Sequence, residues 1–527
     1  MDKFSWTFLP ITLAVTLIMM NPMKRKHIIL CVLGMGLFFG ITGRTQTLNN
    51  LHNFSYNGTD GSFPDAGLVI SGKTLYGMAG AGGSFFNGTV FAVKTDGTVF
   101  TNLHSFNGDT NDGSFPYDEL TLVGNTLYGT TSDGGASHLG MIFSINTDGT
   151  GFTNLYSFTY DHGFLLSDGC LPYASLLLAG GTFYGTTTQG GTNGFGTTHP
   201  YENGYGTVFA INTNGTGFER IYSFTATAGA NNTNSDGATP SASLVLSGNT
   251  LFGTARNGGT AGNGTVFAVN TDGTGFTNFH SFTATSGTAN TNSDGDYPTA
   301  KLILSGDTLY GVTLKGGPAG NGVIFAIKTN GLGFTILHAF SATIGSAGAG
   351  FGSSGTNSDG ARPAASFFLS GNVLYGTASS GGSEGNGTVF AMNTDGSGFT
   401  TLYNFTTSVG SNGGIFFGTN PDGLGPNEVI LSGNILYGTT IEGGTNGYGT
   451  AFSLSVPPPP LTITFADANN IILTWATYAP GVTLQGTTNL GVTAAWTTVS
   501  PAPVVLNGQN VVTNLITGTQ QFFRLSQ

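Results

Sequence analysis

The chain predicts an all-β fold, a seven-bladed β-propeller of four-stranded blades followed by a small β-sandwich-like domain. Two observations predict it. Leu75-Tyr76-Gly77 recurs in echoes ending at Gly129, Gly185, Gly253, Gly311, Gly376 and Gly438, 52 to 68 residues apart. Units of that length belong to propellers and arrays, in which one supersecondary unit cannot bury its own apolar faces and stacks on its neighbours. The second observation is that the array begins with a spare strand and ends one strand short.

The fourth unit serves as the type. Apolar runs at Ser243 to Ser247, Thr250 to Thr254, Gly264 to Asn270 and Phe276 to Phe282 are separated by Gly248-Asn249, Gly258-Gly259 and Asp272-Gly273, which are hairpin signals. Val266, Phe267, Ala268 and Val269 put apolar groups on both faces of one strand, so both faces must be covered. The seventh unit stops after its third strand, Gly449 to Val456, at Pro457 to Pro460. Its missing strand is expected in Thr47 to Phe54, TLNNLHNF, which matches TNLHSF at Thr101 to Phe106 and would close the ring without exposed edges. A solenoid is the alternative, but the array offers no capping ends.

The domain reading follows: residues 1–45 a leader with a start at Met23, 46–456 the seven repeats, 457–460 a stiff proline linker, and 461–527 a C-terminal β domain, with the linker separating two bodies. Met23-Lys24-Arg25-Lys26-His27, the apolar run Ile28 to Phe39 and the mostly small exit Gly40 to Gly43 read as a secretory signal cleaved shortly after Gly43. The apolar run is shorter than the roughly 20 residues of a membrane span. The expected location is therefore secreted, extracellular or at the cell surface.

Charged residues make up only 8% of the 527, and Lys and Arg number 14 against 26 Asp and Glu. Five of the bases stand in the first 45 residues, so the remainder is acidic and lacks the basic clusters that phosphate backbones require. Nucleic acid is excluded as a partner, and a carbohydrate or another surface component is expected. Cys170 is the only thiol outside the leader, so no internal disulfide is expected.

The repeated run LYGTT..GG....GTVFAVNTDGTGFTNLHSF resembles the GloVer tandem-repeat family of secreted bacterial proteins, whose members carry assorted C-terminal sorting or anchoring regions. The resemblance covers about residues 46 to 456. It implies export and surface display, and it implies no activity.

Each unit has an Asp-Gly pair with Pro four residues after the Asp, from Asp60 and Pro64 to Asp422 and Pro426. Sevenfold recurrence argues for a turn rather than a catalytic group. Asn232, Asn234 and Asp236, like Asn290, Asn292 and Asp294, imitate half of a calcium loop, but Ser243 and Lys301 replace its closing Glu. No cofactor is expected, and loosely bound calcium is the residual option. His52, His104, His280 and His338 share one repeat position with Tyr156, Tyr222 and Tyr403, an exchange that fits packed rings with a polar tip.

The third unit breaks the pattern with an insertion from Asn193 to Tyr205, preceded by Asp161 and His162. Phe195, His199, Tyr201, Glu202 and Tyr205 are the candidate ligand-binding residues, since a single enlarged loop in a repetitive ring is a natural asymmetric site. No catalytic residue, zinc spacing, paired carboxylates outside the repeat or nucleophile motif is read from the sequence. The function expected is a binding or display module, with neutral glycans as its ligand class. A polysaccharide lyase or hydrolase on the same scaffold and a purely structural surface protein are the alternatives.

Overall fold

The computed structural model describes residues 47–526 apart from 57–58, 161–166, 193–203, 346–354, 410–417, 457–458, 460, 468, 479–480, 490–494, 507–508 and 516–520. The described residues form strands and turns and no helix. Seven four-stranded antiparallel sheets lie between residues 48 and 455, each with its strands in chain order except the last. The fourth sheet is typical, with strands Val245–Ser247, Thr250–Ala255, Thr265–Asn270 and Thr277–Ser281. In the seventh, Leu424–Ser432, Ile435–Glu442 and Thr450–Ser455 are followed at the outer edge by Leu48–Asn53.

The N-terminal strand pairs antiparallel with Thr450–Ser455, Leu48 opposite Leu454 and Asn53 opposite Thr450. Its register skips Leu51, which forms a bulge. The same skip occurs at Leu103, Leu155, Ile221, Phe279, Leu337 and Leu402 in the outer strands of the other six sheets. The leading strand therefore has the geometry of a fourth strand.

Val266, Phe267, Ala268 and Val269 are all buried, as the two-faced apolar run requires. A Cβ added to Gly253 would lie 2.7 Å from the Phe267 ring, so the glycine of the Leu-Tyr-Gly motif is the space in which the neighbouring phenylalanine sits. Between sheets the apolar cores are shared: Val208, Phe224, Leu244, Leu251 and Phe267 form one cluster across the third and fourth sheets.

The junctions between sheets are polar as well as apolar. Thr186, Thr254 and Thr377 on the second strands donate hydroxyl bonds to Ala242, Ala300 and Asn427 of the next sheet, at 3.2, 3.4 and 3.0 Å. Thr439 of the seventh sheet makes the same bond to Ala66 of the first, at 3.0 Å. Each proline of the Asp-Gly segment packs on a glycine of the preceding sheet, Pro298 on Gly264 and Pro426 on Gly387, and Pro64 of the first sheet packs in this way on Gly449 of the seventh.

Beyond the prolines, a four-stranded sheet (Thr462–Phe465, Asn470–Ala476, Gln509–Leu515, Val504–Leu506) faces a three-stranded one (Thr483–Thr487, Thr497–Thr498, Phe522–Ser526). Ile471, Leu473, Trp475, Leu484 and Phe523 fill the space between them. This body touches the repeats, which the linker alone did not predict. Tyr375 donates its hydroxyl to the Tyr478 carbonyl, Thr477 bonds Asn393, and Tyr478 and Val482 pack on a core that includes Leu436 and Val456.

Candidate functional site

The residues just after the seven prolines converge on one cavity of about 590 Å³, to which every sheet contributes. In sequence these segments read PDAGL, PYDEL, PYASL, PSASL, PTAKL, PAASF and PNEV. Small residues dominate because segments from all seven sheets crowd around one cavity. The charged exceptions carry the chemistry: Asp65 in the first unit, Asp118 and Glu119 in the second, Lys301 in the fifth, and Glu428 in the seventh, where the segment is one residue shorter.

Lys301 Nζ lies 3.5 Å from Glu119 Oε2. Asp118 accepts the Ser175 amide at 2.5 Å and the Ser243 hydroxyl at 3.1 Å, and the two serine hydroxyls are 2.5 Å apart. Gly67 supplies the gap in which the acids meet, for a Cβ there would be 3.3 Å from Glu428 Oε2 and 3.4 Å from Glu119 Cβ. The group is enclosed by protein yet remains partly accessible, with the Lys301 and Glu119 side chains 30% and 16% exposed.

Enclosure dominates the electrostatics. It pushes Glu428 up to about 8, helped by the like charges of Glu119 and Asp118 and opposed by Lys301. Asp118 and Glu119 are raised for the same first reason, with Lys301 opposing. Burial works against the Lys301 ammonium, but Glu119, Glu428 and Asp118 outweigh it and hold the charge in place. Enclosure thus favours the protonated form of Glu428, while the surrounding acids favour the charged form of Lys301.

Glu119, Lys301 and Glu428 also border a second cavity of about 520 Å³ lined by Leu246, Ile303, Leu304, Phe368 and Ile430. The charged group is therefore a belt between a polar chamber and an apolar one. The polar chamber is lined by hydroxyls of Ser175, Thr188, Thr239, Ser241, Thr299 and Ser366, with Asp65 and Arg256. Tyr117 and Tyr173 stand in its wall with ring centroids 5.2 Å apart. Burial pushes Asp65 up to about 7.

Of the residues expected to bind ligand, Phe195, His199, Tyr201 and Glu202 lie outside the described residues, as do Asp161 and His162. Tyr205 is half-buried against the core shared by the third and fourth sheets. Its carbonyl accepts the Thr239 amide at 2.8 Å, a junction bond that Asn263 and Asn321 make to Tyr297 and Arg362 at the same repeat position.

The Asp-Gly and His/Tyr positions meet each other. His280 Nε2 is 2.9 Å from Asp294, and Tyr222 donates to Asp236 at 2.9 Å. Asp236 also takes the Thr225 amide at 2.8 Å, reaching back to the preceding strand rather than only ahead. Asn234 bonds the Gly237 and Gly259 amides through its oxygen and two carbonyls through its nitrogen. These atoms are occupied in closing the turn, which accounts for the calcium-like spacing. Among the described residues, no group of three or more His, Cys, Asp or Glu is arranged to hold a metal. Cys170 is buried, which pushes its thiol up to about 12 and leaves it a poor nucleophile.

The belt is not apparent in the sequence because Asp118-Glu119, Lys301 and Glu428 stand in three distant units and each looks like an ordinary surface charge. The available signal was the alignment of the post-proline segments, in which a charge replaces Ala or Ser.

The chain belongs to the Gloeobacter/Verrucomicrobia repeat family, whose pattern matches residues 33–199 and 195–357. No curated protein matches it. Among solved structures it is similar to an oligogalacturonate lyase in complex with manganese, at 12% identity over 78% of this chain and 93% of that one, with a TM-score of 0.46. An oligogalacturonate lyase from Vibrio parahaemolyticus gives 10%, 79%, 95% and 0.45. A puromycin-hydrolyzing peptidase of Mycobacterium tuberculosis gives 10%, 82%, 62% and 0.43.

Proposed function

We propose that the seven sheets close into a seven-bladed β-propeller, completed by the N-terminal strand, and that this ring is a secreted or cell-surface module that binds a neutral glycan in its polar chamber. The observation that carries this reading is the chamber wall, where Tyr117 and Tyr173 stand among serine and threonine hydroxyls in a space of about 590 Å³. Aromatic faces receive the C–H faces of sugars while hydroxyls and Asp65 meet their polar edges.

Glycan-array binding by the exported protein, compared with the Tyr117→Ala/Tyr173→Ala variant, tests it. We expect binding that the double substitution weakens about tenfold, equivalent to 1.4 kcal/mol. Undiminished binding would place the site elsewhere, and shortening Asn193 to Tyr205 would then locate it.

One observation favours a second reading, glycan hydrolysis or lyase chemistry. Glu428, held at about 8, is an acid at neutral pH beside Glu119 and Lys301, the pairing that general acid-base catalysis uses. Release of shortened oligosaccharides that Glu428→Gln abolishes would make the protein an enzyme.

A further inference from the structure

Where the seventh sheet meets the first, four aromatic residues gather at the surface. Tyr56 stacks on Tyr448 at 5.5 Å and leans on Phe86 at 5.5 Å, and Tyr448 meets Phe63 edge-on at 5.7 Å. Tyr56 and Phe86 are 41% and 52% exposed, and neighbouring Phe85 is 56% exposed. Apolar rings left in water gain nothing for the fold.

Phe86 is placed against backbone preference as well. Its φ is +64°, in the left-handed region that disfavours any side chain. The equivalent positions are Gly262, Gly320, Gly385 and Gly447, with φ from +78° to +86°, and His138 in the second unit. The repeat asks for glycine here, and the first unit instead holds an exposed phenylalanine. Neither exposure nor conformation explains Phe86 as a structural residue.

We propose that Tyr56, Phe86 and Tyr448 form a stacking platform for the pyranose faces of a neutral polysaccharide chain, a second subsite outside the central cavity. Sugar C–H bonds carry partial positive charge that π faces attract, and planar rings side by side suit consecutive residues of a chain. The loops 83–88 and 445–449 carry no charged residue, and exposed Ser84, Thr445 and Asn446 flank the rings with hydroxyl and amide groups, which selects an uncharged polar partner. Phe63 leads from Tyr448 towards Asp65 of the chamber, two residues on, so a long chain could engage both. The inference rests on the glycan-binding reading and adds the preference for polymer.

The test is Phe86→Gly, alone and with Tyr56→Ala. Affinity electrophoresis in mixed-linkage β-glucan, xyloglucan and galactomannan reads polymer binding, calorimetry with their tetrasaccharides reads the chamber, and gel filtration reads self-association. Phe86→Gly is expected to keep or raise the melting temperature, because it restores the glycine the repeat uses. Polymer affinity should fall about tenfold in the double variant, with tetrasaccharide affinity unchanged within about twofold. A lower melting temperature for Phe86→Gly, unchanged polymer affinity, or loss of a dimer instead of a glycan complex would each overturn the platform. If Tyr117→Ala/Tyr173→Ala loses tetrasaccharide binding while the platform variants keep polymer binding, the chamber reading stands and the platform falls. Wild-type protein that retains none of these glycans overturns both.

Discussion

His280 and Asp294, fourteen residues apart, share a 2.9 Å bond from imidazole Nε2 to carboxylate Oδ2, and the same imidazole stacks at 3.8 Å on Phe334 of the next sheet. Burial opposes the Asp294 charge, but bonds from His280 and Thr283 outweigh it and hold the carboxyl below its usual range. Asp60 and Asp359 are held low in the same way by His52 and His338. One pair thus ties a turn to a strand and one sheet to another.

His280→Tyr should therefore be tolerated, because Tyr156, Tyr222 and Tyr403 make the equivalent bond elsewhere. His280→Phe keeps the stack and loses the donor, and should cost about 1–3 kcal/mol by leaving a buried carboxylate short of a partner. Thermal melts of the two variants check this; equal stability would mean the bond is incidental. These depressed carboxyls also set the acid limit. Their contribution is present above the unfolded value near 4 and is lost as pH falls through the lower folded values, so acid unfolding is expected below about pH 4.

Much of this was legible in the sequence for a physical reason. Turn residues, the two-faced apolar runs and the His/Tyr exchange are local or repeated seven times, so each signal is reinforced. The partnership of His280 with Asp294 was not legible, because each residue fits its own strand or turn and only the fold brings them together. Lys301 and Glu119 lie 182 residues apart and meet only when the sheets of the second and fifth units are brought together. Repetition hides such a site, since the positions that matter are those where single units deviate.

Closure by the N-terminal strand predicts that deleting Thr47 to Phe54 destabilises the whole repeat body. The deletion removes the strand paired with Thr450–Ser455 and the buried Phe54. A single cooperative melt shifted down by about 5 °C or more is expected, and an unchanged melting temperature would rule out the closed ring. Removal of 461–527 should cost less but more than nothing, since it strips the contacts of Thr477, Tyr478 and Val482.

The raised carboxyls of the cavity make the opposite pH prediction from the histidine pairs. Glu428 at about 8 and Asp65 at about 7 are raised above an unfolded value near 4, so the unfolded chain releases their protons first as pH rises. Stability should decline between pH 4 and 8 on their account. Glu428→Gln imitates the protonated form and should flatten that decline, raising the melting temperature by about 2 °C at pH 8 and leaving it unchanged at pH 5. Melts across this range decide it; a gain at pH 5 as large as at pH 8 would exclude titration of Glu428 as the cause.

Lys301→Met is the sharpest probe of the belt. It leaves Asp118, Glu119 and Glu428 enclosed without their cation, and removing one partner of a buried ion pair costs about 3–5 kcal/mol when the survivors stay charged. Here they need not stay charged at low pH, because enclosure already favours their protonated forms. The variant should therefore lose more stability at pH 8, by about 3 kcal/mol, than at pH 5, with Lys301→Met/Glu428→Gln recovering part of the loss. A deficit independent of pH would mean that Lys301 acts through the packing of its aliphatic stem, and the belt would then be a steric constriction with no electrostatic role.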